Sequence, residues 1–369
     1  MNILVVAGEA SGDLHAANLV TALREARPGL TCFGVGGERL RAAGLECLAR
    51  SEELSVMGLA EVVRELPRLV TLARRVRREA IRRGPDLAVL VDAPDFNLPL
   101  ARHLRRAGIP VVVYISPQLW AWRSGRVRRI RRDVVRVLCI LPFEVEFYAR
   151  HGVAAEYVGH PLVDELSPLM AAPPPRDDNS LALLPGSRWH EVSLLLPGMV
   201  AAAEALAATR PGLAVRILVA PGLARDRLAA LVGSPAVQVE LVSAERHRVL
   251  ASSRAALVAS GTATLECALL GVPMVVGYRL HRLTFAIARR LVRVPHVSLV
   301  NLVAGREVVP ELVQEHFTPE ELARRAGALW GPAGDDQRQA LHEVRRWLGD
   351  PGASRRAAAA VVRVLEEAR

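Results

Sequence analysis

Two carboxylates and an amide lie within six residues in Asp92-Ala93-Pro94-Asp95-Phe96-Asn97. Such groups at the carboxyl end of a strand suit proton abstraction or the binding of hydroxyls. Pro94 restricts the residue before it and is expected to hold the loop extended. The plainer alternative is a capped loop, with Asp95 starting the next helix. Nearer the start, Gly8-Glu9-Ala10-Ser11-Gly12-Asp13 follows an apolar run. Its glycines permit a tight turn and a close backbone approach, ahead of a helix whose first N–H groups lack partners. The spacing is not that of a dinucleotide-binding G-x-G-x-x-G loop. Ser11 or Asp13 could equally cap the helix. In this half Asp92, Asp95 and Asn97, with Glu9 and Ser11, are the candidates for proton transfer and for binding hydroxyls.

The later half offers phosphate chemistry instead. Leu184-Pro185-Gly186-Ser187-Arg188 sets a glycine, a hydroxyl and an arginine between a strand and a helix. That arrangement suits a phosphate. Ser260-Gly261-Thr262-Ala263-Thr264-Leu265-Glu266 opens another helix directly after a strand. Diphosphate oxygens fit the N–H groups of Gly261 to Ala263, and Glu266, about one turn on, can accept from ribose hydroxyls. A simple cap at Ser260 or Thr262 is the alternative. Between the two halves of the chemistry, Ser116-Pro117-Gln118-Leu119-Trp120-Ala121-Trp122-Arg123 brings two tryptophans, either as core or as the lining of an acyl or sugar pocket.

These residues need strands to carry them. Apolar runs are read as strands at 3–7, 31–35, 87–91, 111–115 and 137–141, and in a second series at 181–184, 215–220, 237–241, 256–259 and 274–277. Segments with apolar residues at helical spacing lie between them, such as 14–26 and 192–208. Alternation of this kind predicts parallel sheets with helices on both faces, whose ligands sit at the carboxyl ends of the strands. Pro168, Pro173-Pro174-Pro175 and Asp177-Asp178 mark 166–180 as a linker. The expected domains are 1–165 and 181–344, with about 345–369 packing back on the first.

Composition narrows the partners. The chain has 369 residues, enough for two domains at about 150 each. No apolar run reaches the ~20 residues of a membrane span, and Met1-Asn2 leads straight into an apolar strand without a basic lead. The expected location is therefore the cytoplasm. Cys32, Cys47, Cys139 and Cys267 are scattered and form no C-x-x-C pair, so neither zinc nor a disulfide framework is expected. Net charge is +10, carried by arginine alone, for lysine is absent. That excludes a P-loop lysine and Schiff-base chemistry. Residues 64–83 hold eight arginines against two glutamates, and 123–136 hold seven against one aspartate, each run netting +6. Val62, Val63, Leu66, Leu69 and Val70 recur at helical spacing beside the first run. An apolar stripe beside arginines suits a helix lying on an anionic membrane, and a helix packed on its own domain is the alternative. Aromatics make up 4% of the chain, too sparse for the base stacking of a nucleic-acid binder.

Eight segments in order, 5–13, 56–58, 92–97, 118–123, 183–188, 259–266, 273–279 and 298–305, resemble the lipid-A-disaccharide synthase family over nearly the whole chain. The resemblance implies two facing Rossmann-like domains, the glycosyltransferase B fold, with C-terminal helices crossing back to the first domain. It implies condensation of UDP-2,3-diacylglucosamine with 2,3-diacylglucosamine 1-phosphate (lipid X), releasing UDP, at the inner face of the cytoplasmic membrane. No cofactor or metal is implied. Asp92 matches the family's catalytic base, and Arg188 and Asn301 match its other functional residues. Trp189-His190 departs from the small residues that relatives often carry there. Family members can be monomers or swapped dimers, so a homodimer is one of two states allowed. Another enzyme of the same fold acting on UDP-N-acetylglucosamine, or a non-catalytic basic peripheral membrane protein, are the rival readings.

Overall fold

In a computed structural model of the chain, the residues described are 1–8, 10–54, 59–121, 124–281, 284–286, 289 and 294–367, the side chains of 10, 52, 59–66 and 124 excepted. The chain divides into two units, Met1–Asp164 with Asp350–Arg369, and Glu165–Gly349.

The first unit is built on seven parallel strands: β1 (Asn2–Ala7), β2 (Thr31–Gly36), β3 (Leu45–Arg50), β4 (Leu87–Val91), β5 (Val111–Tyr114), β6 (Arg136–Cys139) and β7 (Ala155–Tyr157). Their spatial order is β3-β2-β1-β4-β5-β6-β7. β4 is buried along its whole length, as an unbroken Leu87-Ala88-Val89-Leu90-Val91 run requires of a strand covered on both faces. The helices Ala10–Ala26 and Ala353–Glu367 bury alanine, leucine and valine against one face. Leu72, Val76 and Ala80 of the helix Leu59–Arg83 cover the other, with Leu98, Leu100, Ala101 and Leu104 of the helix Pro94–Arg106.

The second unit holds six parallel strands: β8 (Asp177–Leu184), β9 (Ala214–Leu218), β10 (Val239–Val242), β11 (Ser253–Ala259), β12 (Met274–Tyr278) and β13 (Glu311–Val313), in the order β10-β9-β8-β11-β12-β13. The helix Trp189–Thr209 is long and apolar enough to cross a membrane by length and composition. In the fold its Val192, Leu195, Leu196, Met199 and Leu206 are buried in this unit's core.

The expected linker is mostly structured. Residues 166–171 finish the helix Pro161–Ala171, and 177–180 begin β8. Pro168 sits inside that helix, where its ring removes one N–H donor without ending the helix. The return to the first unit begins at Asp350, because 345–347 complete the helix Pro332–Trp347 of the second unit. Asp164 fixes the return by accepting from the N–H groups of Gly352, Ala353 (3.2 Å) and Ser354 (3.3 Å) at the start of the last helix.

Candidate functional site

β1 and β4 lie side by side, with Ala7 paired to Val91, so the loops that follow them meet. A Cβ on Gly8 would fall 2.4 Å from the Ala93 Cβ, so only glycine allows this approach. A Cβ on Gly12 would lie 3.8 Å from the Asp92 Cβ, which sets Asp92 against the first turn of the helix Ala10–Ala26.

The Asp92 loop is not extended. Asp92 and Ala93 both take left-handed backbone angles, φ 51° and 42°, and Ile115 after β5 does the same at 62°. Each costs on the order of 1–3 kcal/mol, and β-branched Ile115 is the least expected. The preference imposed by Pro94 is overridden by local hydrogen bonds. Asn97 Nδ2 donates to the carbonyls of Val91 (3.2 Å) and Asp92 (2.7 Å), and the Asn97 N–H donates to Ala93 O (2.9 Å). Asn97 is therefore a clamp that shapes the loop, buried with its donors spent on backbone. Asp95 also leaves the group: its side chain is 76% exposed and pairs with Arg126 at 2.7 Å. Ser11 is exposed on the first turn of its helix, and Glu9 lies outside the described residues. Asp13 caps a different helix from its own, accepting from Gly37 N (2.6 Å), Arg39 N (3.0 Å) and Leu40 N (3.3 Å) at the start of Glu38–Ala42.

The loop after β5 is anchored by a carboxylate that sequence reasoning missed. Glu144 is buried and accepts from Ser116 Oγ (2.8 Å), Trp120 Nε1 (3.1 Å), Ile140 N (3.2 Å) and Leu141 N (3.1 Å). Burial still raises its pKa against those donors. Trp120 is held edge-to-face on Phe143 at 4.9 Å, while Trp122 lies outside the described residues. Two histidines were also missed. Burial lowers His15 to about 4, and burial with the neighbouring His15 lowers His160 to about 3. Both are thus neutral at pH 7.

In the second unit β8, β11 and β12 end together, with Val258 paired to Leu184 and Ala259 to Gly277. Gly186 takes φ 112°, and a Cβ there would meet Glu191 Oε2 at 2.9 Å. Ser187 and Arg188 are exposed at the start of the helix Trp189–Thr209, with Arg188 3.5 Å from Glu191. The Tyr278 hydroxyl is pushed up by burial and by Glu191, and drawn down by Arg188, so all three share one corner at the strand ends. Trp189 is covered by the Arg227 guanidinium 3.8 Å above its ring, which accounts for the large side chain there.

The loop after β11 is a second anion-shaped corner. Gly261 has φ 153° and opens the helix Thr262–Leu270 with no side-chain cap. Open space surrounds the position a Cβ would take, Thr262 is exposed and Ala263 half-buried. Their N–H groups are the helix's unpaired donors. Ser260 serves the loop itself, donating its hydroxyl to Val297 O at 2.6 Å. Glu266 is already engaged, with Arg246 at 3.1 Å and His247 at 3.5 Å. Burial alone would raise its pKa, but His247 and Arg246 outweigh it and hold the carboxyl low.

Asn301 has no polar atom to spare. Its Nδ2 donates to Val309 O (2.9 Å) and Glu311 Oε1 (2.8 Å), and its Oδ1 accepts from Val308 N (2.8 Å) and Val309 N (3.0 Å). It is fully buried, so the expected catalytic contact is replaced by a bracing role. Glu311 completes the brace, accepting also from Val297 N and Ser298 N, both at 2.9 Å. Since Ser260 hangs on Val297, the brace fixes the Gly261 loop from behind.

The sequence model of the family described as lipid-A-disaccharide synthetase matches residues 3–359. The chain belongs to the lipid-A-disaccharide synthase family. It is 48% identical to the lipid-A-disaccharide synthase of Myxococcus xanthus, covering 100% of this chain and 98% of that one. It is 49% identical to that of Anaeromyxobacter dehalogenans strain 2CP-C, covering 98% and 97%. This lipid-A-disaccharide synthase family member is accordingly a glycosyltransferase that makes the lipid A disaccharide, and UDP-sugar substrates come with the family. Among solved structures it is similar to CalG4, the calicheamicin glycosyltransferase (TM-score 0.65, 20% identity, covering 99% of this chain and 98% of that one). It is also similar to UDP-GlcNAc 2-epimerase from Neisseria meningitidis (TM-score 0.65, 13% identity, covering 100% of both). Those likenesses fix the fold as the glycosyltransferase B type, with two Rossmann-like domains.

Proposed function

We propose that this enzyme condenses UDP-2,3-diacylglucosamine with 2,3-diacylglucosamine 1-phosphate, giving the β-1,6-linked disaccharide 1-phosphate and UDP. The first unit binds the acceptor and the second the donor. Asp92 takes the proton from the acceptor's 6-hydroxyl. That oxygen forms its bond to the donor's anomeric carbon as the bond to the diphosphate breaks, with inversion, and the electron pair leaves on UDP. Arg188 and the N–H groups of Thr262 and Ala263 receive the growing phosphate charge. Glu266 exchanges its contacts with Arg246 and His247 for the ribose hydroxyls.

The observation that carries this reading is the Asp92 loop. A carboxylate sits on the first of two consecutive left-handed residues at a strand's carboxyl end, and the second, Ala93, packs on Gly8, which admits nothing larger. Strain of that size is retained where a side chain must be aimed.

The same reading puts the first unit on the inner surface of the cytoplasmic membrane. On the helix Leu59–Arg83, Leu72, Val76 and Ala80 turn inward, while Val70 (40% exposed) and Ile81 (53%) lie outward among Arg74, Arg77 and Arg78. Leu69 is half-buried, and the side chains of Val62, Val63 and Leu66 lie outside those described. An apolar and arginine-rich outer face supports docking to anionic lipid.

The test is UDP release on mixing purified enzyme with both lipid substrates. Release is expected only when both are present and acylated. Equal turnover of UDP-N-acetylglucosamine without acyl chains would reject the assignment.

A further inference from the structure

A concave basic site lies on the first unit, outside the groups assigned to glycosyl transfer. The helices Pro94–Arg106 and Val127–Asp133 flank a cleft of about 510 Å³. Arg102 and Arg106 line it from the first helix, Arg129 and Arg132 from the second. Asp133 is the cleft's one carboxylate, and Arg132 already holds it at 2.6 Å. That leaves Arg102, Arg106 and Arg129 with no carboxylate partner among the described residues. Leu98, buried, and Pro99, exposed, give the cleft an apolar wall.

Three unpaired guanidinium groups around a concavity repel one another and concentrate positive potential inside it. An anion with several oxygens relieves that repulsion, and guanidinium forks match phosphate in two-pronged geometry. His103, also on the wall, is lowered by burial and then by Arg77, Arg106 and Arg102. The helix Pro94–Arg106 packs against the helix Leu59–Arg83. Exposed Val70 and Ile81 lie on that helix. Exposed apolar residues on the neighbouring helix, together with a basic cavity on this one, match the two chemistries of a lipid surface. A strand of nucleic acid fits less well: no phenylalanine, tyrosine or tryptophan lines the cleft to stack a base.

We propose that this cleft binds the phosphate of one anionic phospholipid headgroup, held by Arg102, Arg106 and Arg129, and so fixes how the first unit sits on the membrane. The proposal rests on the membrane-surface reading above and adds a specific lipid site to it.

The experiment measures sedimentation of the full-length enzyme with phosphatidylcholine vesicles, with and without phosphatidylglycerol. Arg102→Gln/Arg129→Gln is compared with Arg345→Gln/Arg346→Gln, which removes the same charge from the second unit. The cleft variant is expected to lose roughly thirtyfold in affinity for the anionic vesicles, the usual weight of two arginines at such a surface, and the control less than about twofold. Both variants should keep the wild-type melting temperature and full turnover of detergent-dispersed substrates. That turnover separates failure of the lipid site from failure of the glycosyltransferase assignment. Equal losses in the two variants would reduce the effect to net charge and overturn the proposal. Inorganic phosphate bound by the wild type and not by the cleft variant, with vesicle binding equal in both, would assign the site to free phosphate and also overturn it. Loss of oligonucleotide binding alone would do the same.

Discussion

Asn301 is a brace, while chemistry is proposed for Asp92, and nothing in their residue types separates the two roles. Asn301 meets four partners inside the protein, and burial leaves no water to replace them. Asn301→Ala would strand the Val308 and Val309 N–H groups and the Val309 carbonyl. At about 1–3 kcal/mol for each of the three buried groups left unsatisfied, the expected loss is roughly 3–9 kcal/mol, read from urea unfolding. Unchanged stability with abolished turnover would return Asn301 to the catalytic group. Glu266 is the intermediate case, a candidate ribose ligand whose carboxylate is kept charged and oriented by Arg246 and His247 until the nucleotide arrives.

At the scale of elements, legibility followed burial. The central strands β1, β4, β5, β8, β11 and β12 are read from apolar runs that are buried on both faces, in β8 only over Leu181–Leu184 and in β11 only over Ala255–Ala259. Edge strands β3, β7 and β13 were not recognised. Ala155-Glu156-Tyr157 and Glu311-Leu312-Val313 are three residues each and half-exposed, so no apolar run announces them. The motif after each central strand was legible because strand ends are where a parallel sheet presents its loops. What each side chain does within a loop was not. Asp95 and Asn97 share a motif with Asp92, yet one pairs with Arg126 on the surface and the other ties down carbonyls. Proline arguments failed twice, at Ala93 and Pro168, because hydrogen bonds and packing from outside the dipeptide outweighed the local preference. Glu144 and Glu311 were invisible for a related reason: a brace is defined by partners far along the chain.

Over the whole molecule, the proposed reaction divides the work between the two units: the first carries the strained Asp92 loop and the basic outer face, the second the arginine and the helix start proposed for diphosphate. The first unit also has a built-in acid sensitivity. His15 and His160 are both lowered in the fold, to about 4 and about 3, so the native state resists protons that the unfolded chain accepts. The contribution is absent above the ordinary histidine value near 6.5 and grows as pH falls toward the folded values, so stability drops on acidification. Between pH 7 and pH 5 the opening free energy of β1 and β4 amides, measured by hydrogen exchange corrected for its intrinsic rate, should fall by roughly 3–4 kcal/mol, about half from each ring. A flat profile over that interval would mean that the two rings are hydrated.

The account depends most on Asp92. The most direct measurement is steady-state turnover of Asp92→Asn with both lipid substrates, alongside calorimetric binding of UDP. Loss of a general base predicts turnover lower by roughly 10²–10⁴ with UDP affinity and melting temperature unchanged. Wild-type turnover in that variant would contradict it.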